Sequence, residues 1–130
     1  MSDLPTPTEW TSSDAWILAA ISTRQSGSSL AELIGEGDAI NHGILTRDEL
    51  ASGIGALRAA DLVEVDGGRF LLTGRGRDLR KHWKRGMFRW GEALRPRLAE
   101  LPRSQDQFAV SDAEVDAAYR EYTRTFGKRR

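Results

Sequence analysis

Apolar residues recur at helical steps in five stretches of this chain and run in the short blocks of a hairpin in one. Trp16, Ile17, Ala20 and Ile21 form the first stripe, behind Ser12 or Ser13 as a helix start. Ser29-Leu30-Ala31-Glu32 opens a second helix with Leu30, Leu33 and Ile34 inward, and Thr46-Arg47-Asp48-Glu49 a third with Leu50, Ile54 and Leu57 inward. Ser111-Asp112-Ala113-Glu114 opens the last, along which Val115, Tyr119, Tyr122 and Phe126 share a face. The spans expected for the first three helices are 14–24, 29–41 and 46–60. Leu62-Val63-Glu64-Val65 and Arg69-Phe70-Leu71-Leu72 flank Asp66-Gly67-Gly68, which predicts an antiparallel hairpin over 62–72, because its turn needs the positive φ that glycine adopts cheaply.

Beyond the hairpin, Leu79, Trp83, Met87, Trp90, Leu94, Leu98 and Leu101 follow one another at steps of four or three. That spacing predicts one long helix over 75–101 with Thr73 as N-cap, kinked or divided at Pro96, which lacks a backbone donor. The stripe is too apolar to leave in water. Leu79, Trp83, Met87, Trp90, Leu94 and Leu98 are therefore expected to be buried, under the 112–126 helix or across a two-fold seam, with a homodimer favoured.

The chain's 130 residues are a single-domain length, and 39% hydrophobic with 29% charged residues describes a globular protein. The absence of cysteine excludes disulfides, thiolate metal sites and a cysteine nucleophile. The longest apolar run, Ala15 to Ile21, is too short to span a bilayer. Residues 1–23 hold no Lys or Arg, so no basic leader is read and a cytoplasmic location is the default expectation. Zero net charge hides a division: residues 1–68 carry three basic and eleven acidic side chains, whereas 69–103 carry eleven basic and three acidic. The two segments can neutralise each other, or the basic one can meet an anion such as nucleic acid.

Helix, helix, turn, helix, hairpin, helix is the order of a winged helix-turn-helix. Thr46-Arg47-Asp48-Glu49-Leu50, Ile54-Gly55-Ala56-Leu57 and Asp61-Leu62-Val63-Glu64 resemble the third helix and first wing strand of such proteins. Phe70-Leu71-Leu72-Thr73-Gly74-Arg75-Gly76-Arg77-Asp78-Leu79 is similar to the wing exit and following helix of bacterial PadR- and MarR-type regulators. The resemblance covers about residues 14–82. It implies a mainly α fold with a small β-hairpin (α+β), built as an irregular arm over 1–11, a winged-helix core over 12–74 and a helical extension over 75–130. It also implies duplex DNA as partner and a dimer made by the helix beyond the wing.

In DNA-binding members of that class the third helix enters the major groove. Here the side of this helix opposite Leu50, Ile54 and Leu57 holds Asp48, Ser52, Gly55, Ala56 and Ala59, a small and slightly acidic surface. Such residues admit the close approach of another helix as readily as base reading. Arg47, Ser52 and Arg58 are its candidate DNA contacts. Most phosphate neutralisation would fall to Arg69, Arg75, Arg77, Lys81, Lys84 and Arg85 in the wing and the helix after it, giving modest sequence specificity. Phe88, an aromatic amid basic residues, is a candidate partner anchor. No phosphate loop, metal-ligand spacing or catalytic constellation stands out, so no cofactor and no enzymatic activity are expected. Two functions follow: a transcriptional regulator binding duplex DNA, or a non-enzymatic protein-protein interaction module on the same fold that does not bind DNA.

Overall fold

The computed structural model describes residues 7–83 and 90–127, and these form six helices and a small antiparallel sheet, an α+β fold. Helix α1 (Ser12–Ala20) lies at the centre, buried from Asp14 to Ala20. A helix apolar on every side must be surrounded, and α2, α3 and α5 all pack against it. It begins one or two residues earlier than expected, because Thr11 is the N-cap and Asp14 its reciprocal partner. It also ends earlier, at Ala20. Strand β1 (Ser28–Ser29) and helix α2 (Leu30–Asn41) follow, then α3 (Arg47–Ala59). The reciprocal capping hydrogen bonds expected at Ser29–Glu32 and Thr46–Glu49 are both formed.

Strands β2 (Val63–Asp66) and β3 (Arg69–Leu72) pair antiparallel, with Val63 opposite Leu72 and Asp66 opposite Arg69. Gly67 and Gly68 make the turn at φ 56° and 79°. The hairpin is one strand short of the whole sheet, since β1 adds to β3 and the strand order is β1-β3-β2. Two serines carry no alternation to betray a strand. Val63, Phe70 and Leu72 are buried against the helices, so the sheet closes one side of the core. The element order is thus helix, strand, helix, helix and hairpin, followed by three more helices.

The expected single helix over 75–101 is instead two. Helix α4 (Gly74–Arg80) starts on Thr73, whose hydroxyl accepts from the Gly76 N–H as expected. The chain leaves the helix through a turn at Lys81–Trp83, and α5 spans Trp90–Leu98 with Pro96 inside it. The break therefore falls well before Pro96. Arg80 makes the turn locally favourable: its guanidinium stacks on the Trp83 ring, 4.6 Å from the centroid, and also donates to the Ala19 carbonyl at the end of α1. Trp83 thereby folds into the core.

Of the stripe, Trp83, Leu94 and Leu98 are buried as expected, but α5 packs on α1 rather than under the last helix. Leu94 and Leu98 are fully buried within the one chain, on α5 packed along α1, and Leu79 is partly buried against the same core. Helix α6 (Asp112–Gly127) packs instead on α2. There Tyr122 lies over Gly35 and its hydroxyl donates to Asp38 at 2.7 Å. Helix α2 is thus packed between α1 on one side and α6 on another. Met87, with Lys84, Arg85 and Phe88, lies outside the described residues, as does the Trp90 side chain. Among the described residues no helix is long and apolar enough to cross a membrane.

Candidate interaction site on the third helix

Helix α3 is held from two sides. Its apolar residues Leu50, Ile54 and Leu57 are fully buried in the core. Its N-terminal turn is tied to α1, since Ser13 Oγ donates to Glu49 Oε2 at 2.6 Å. The opposite side, which the sequence left open to base reading or to a close neighbour, is crossed by the segment joining α5 to α6. Residues 103–110 run across it without helix or strand. The Phe108 N–H donates to the Ala51 carbonyl at 2.8 Å, a backbone bond made beside the helix's own ladder. A Cβ on Gly55 would overlap the Asp106 carbonyl oxygen, so glycine is what lets the crossing chain come this close. The small residues do admit a close neighbour; that neighbour is extended chain rather than a helix.

Each candidate DNA contact on α3 is engaged by this crossing. Ser52 Oγ accepts from Arg103 Nη2 at 2.9 Å, and the Ser52 carbonyl accepts from the same nitrogen at 3.3 Å. The Arg58 guanidinium lies 5.5 Å from the centroid of the Phe108 ring. Phe108 in turn meets Phe70 of β3 edge-on, with centroids 5.5 Å apart. Arg47 reaches the Val110 carbonyl at 3.5 Å, is ion-paired with Asp48, and has Asp112 at 3.7 Å. Ala51, Gly55 and Ala56 are buried, while Ala59 stays exposed.

Arg103 is the strongest fixed point of the segment. Its guanidinium forms a two-pronged ion pair with Asp14, at 2.8 and 3.0 Å, and the two side chains are 1% and 2% exposed. It also donates to the Pro7 and Ser104 carbonyls and sits 5.6 Å from the centroid of the Trp10 ring. One guanidinium therefore joins the arm, α1, α3 and the crossing segment, with its donors matched to carboxylate and carbonyl oxygens. Trp10 folds back onto the body, and its indole N–H donates to the Leu101 carbonyl at 2.9 Å.

Ion pairs and hydrogen bonds join the basic segment to the acidic one within the chain. Besides the Arg103–Asp14 pair, Arg69 donates to the Ser26 and Gly27 carbonyls and pairs with Glu32 at 3.1 Å. The Ser29 backbone N–H, and after it the Arg69 guanidinium, hold the Glu32 carboxyl below the usual carboxylate range, outweighing the opposite pull of burial. Arg77 donates to the Thr23 carbonyl at 3.4 Å, and Lys81 pairs with Asp78 one turn back. Arg75 is exposed on the first turn of α4. Arg69, Arg77 and Lys81 are thus bonded within the chain, while Arg75 lines a small pocket with Ala59 and Ala60 at the end of α3.

A separate open cleft of about 980 Å³ lies between the end of α1 and α2, lined by Glu32, Glu36, Asp38 and His42 together with Arg24 and Arg80. Among the described residues no three His, Asp or Glu side chains converge as metal ligands would. No family model, curated protein or solved structure matches the chain.

Arg103, Asp14, Asp106 and Phe108 were not singled out by sequence reasoning. Two signals pointed toward them: the run of small residues on α3, and the apolar Phe108-Ala109-Val110 just ahead of the Ser111 cap.

Proposed function

We propose that this protein is a non-enzymatic winged-helix interaction module that holds extended polypeptide, rather than DNA, on the face of α3. The observation that carries this reading is the crossing of α3 by residues 103–110. The face a DNA reader would turn to the major groove instead fits a polypeptide backbone, through the Ala51 carbonyl, the opening at Gly55 and the slot between Phe70 and Arg58. Phosphate neutralisation dominates nucleic-acid affinity, and Arg47 already lies among the carboxylates of Asp48 and Asp112.

The test is fluorescence anisotropy of the unsubstituted protein with mixed-sequence duplex DNA at two salt concentrations. The expected result is no saturable binding even at low salt. A second reading is favoured by Arg75 and Lys81, which are exposed beyond the wing with Arg77 beside them. In it the protein is a regulator of PadR or MarR type that grips the DNA backbone with these residues and with Lys84 and Arg85. Binding would then fall steeply with salt and vanish on changing Lys81, Lys84 and Arg85 together to Ala, while Ser52→Ala left it nearly unchanged.

A further inference from the structure

The segment crossing α3 is built unevenly. At one end Arg103 is locked into α1 and α3. Just before it, the Leu101 carbonyl is held by Trp10. At the other end α6 has its own cap, Ser111 with Glu114, and its own seat on α2 through Tyr122 and Asp38. Between these fixed points Gln105, Asp106, Gln107 and Ala109 are exposed, and Phe108 is only half-buried. Lifting the stretch from 105 to 109 would break the Phe108 bond to Ala51 and the Asp106 N–H bond to Ser104 Oγ, while the Arg103–Asp14 pair and the α6 seat on α2 lie outside it. Beneath it lie a backbone acceptor at Ala51, the opening at Gly55 and the slot between Phe70 and Arg58.

We propose that residues 105–109 are a displaceable strap, standing in for an extended peptide of a partner protein that docks on α3 with an aromatic side chain in the Phe108 slot. This rests on the reading of the protein as an interaction module and specifies its site, its ligand chemistry and its resting, self-occupied state. The strap defines the ligand. An extended backbone is required, because only a main chain fits over Gly55 and donates to the Ala51 carbonyl. An aromatic ring is required, because it packs T-shaped against Phe70 and offers its face to the Arg58 cation. Main-chain bonding with one side-chain pocket is a recurring way of recognising peptides. Competition with the strap lowers the apparent affinity of any partner by the fraction of time the strap is lifted.

The test uses the full chain and a fluorescein-labelled peptide with the sequence of residues 102–111. Phe108→Ala loosens the strap, and this variant should bind the peptide saturably and at least about tenfold more tightly than the unsubstituted protein does. Binding should disappear when the peptide itself carries Phe108→Ala, and when Gly55→Ala is added to the protein. Absence of saturable binding to the folded Phe108→Ala protein, or binding indifferent to Gly55→Ala, would overturn the proposal. Should that variant not fold, the unsubstituted protein decides: excess peptide should speed hydrogen exchange of the Phe108 amide, and unchanged protection would refute the strap. If Gly55→Ala instead creates duplex-DNA binding while the peptide does not bind, both this proposal and the interaction-module reading fail. A partner retained equally by the unsubstituted and Gly55→Ala proteins would overturn only the α3 site.

Discussion

Two helices of this protein carry a glycine beneath a C-terminal segment, and the two contacts differ in kind. On α2, Gly35 faces the ring of Tyr122, where an added Cβ would come 2.7 Å from Cδ1. On α3, Gly55 faces the backbone carbonyl of Asp106. A tyrosine ring can turn about its side-chain torsions, whereas a carbonyl moves only with its chain. The α6 contact is also broad, with Val115 and Ala118 buried alongside, while the strap over α3 is mostly exposed. One segment is docked as a helix by apolar area; the other is laid down by a few directional contacts around one buried ion pair. This difference is what the proposed displacement of the strap requires.

The largest effect should come from the ion pair that fixes the strap. Arg103→Ala leaves the Asp14 carboxylate buried without its partner, and breaking such a pair typically costs about 3–5 kcal/mol. Urea unfolding should show that loss, and Asp14→Ala combined with Arg103→Ala should lose less than the sum of the single changes. Additive losses would mean that the two side chains do not act as a unit.

Next comes the glycine comparison itself. Gly55→Ala should expel the strap, exposing the Phe108 amide to rapid exchange, whereas Gly35→Ala should leave α6 in place with Tyr122 rotated. Global stability should change by no more than about 2 kcal/mol in either variant, because an overpacking cost of ~1–3 kcal/mol is offset by the ~1 kcal/mol that Ala gains over Gly in a helix. Retained protection of Phe108 in Gly55→Ala would erase the distinction.

Tyr122→Phe keeps the ring and removes only the hydrogen bond to Asp38, so about 1 kcal/mol should be lost. A much larger loss would show that α6 too hangs on a polar contact.

The smallest effect concerns Glu32, whose carboxyl is held low by the Ser29 N–H first and Arg69 second. A depressed carboxyl pKa adds stability at pH values above the unfolded value, here 4.5, and that contribution disappears as pH falls through the lower folded value. Glu32→Gln retains a capping side chain but loses the charge. It should cost at most about 1 kcal/mol near neutrality, as for an exposed pair, and the difference should vanish in acid. A difference that persisted at low pH would point to the cap rather than the charge.

The local chemistry of the fold was legible in the chain. Ser29, Thr46, Ser111 and Thr73 each cap the helix expected of them, and Asp66-Gly67-Gly68 turns the hairpin. These signals lie within three or four residues of the atoms they satisfy. The contacts missed are those made at long range. Helical spacing from Leu79 to Leu101 continues across the turn at Lys81–Trp83, because periodicity does not register a guanidinium that reaches from Arg80 to α1. The strap has no period at all: its polar Gln105-Asp106-Gln107 reads as a linker, and its one aromatic finds Phe70 only when the hairpin folds back. The small face of α3 was visible, but small residues do not state whether helix, strand, peptide or DNA will approach them.

Nuclear Overhauser contacts of the Phe108 ring in the unsubstituted protein test most directly whether α3 is covered by its own chain. The ring should show cross-peaks to the Phe70 ring and to Arg58 side-chain protons, and the Asp106–Gln107 backbone should show cross-peaks to the Gly55 α-protons. A Phe108 ring with disordered-chain shifts and no contact to Phe70, beside Gly55 protons that meet only solvent, would contradict the account.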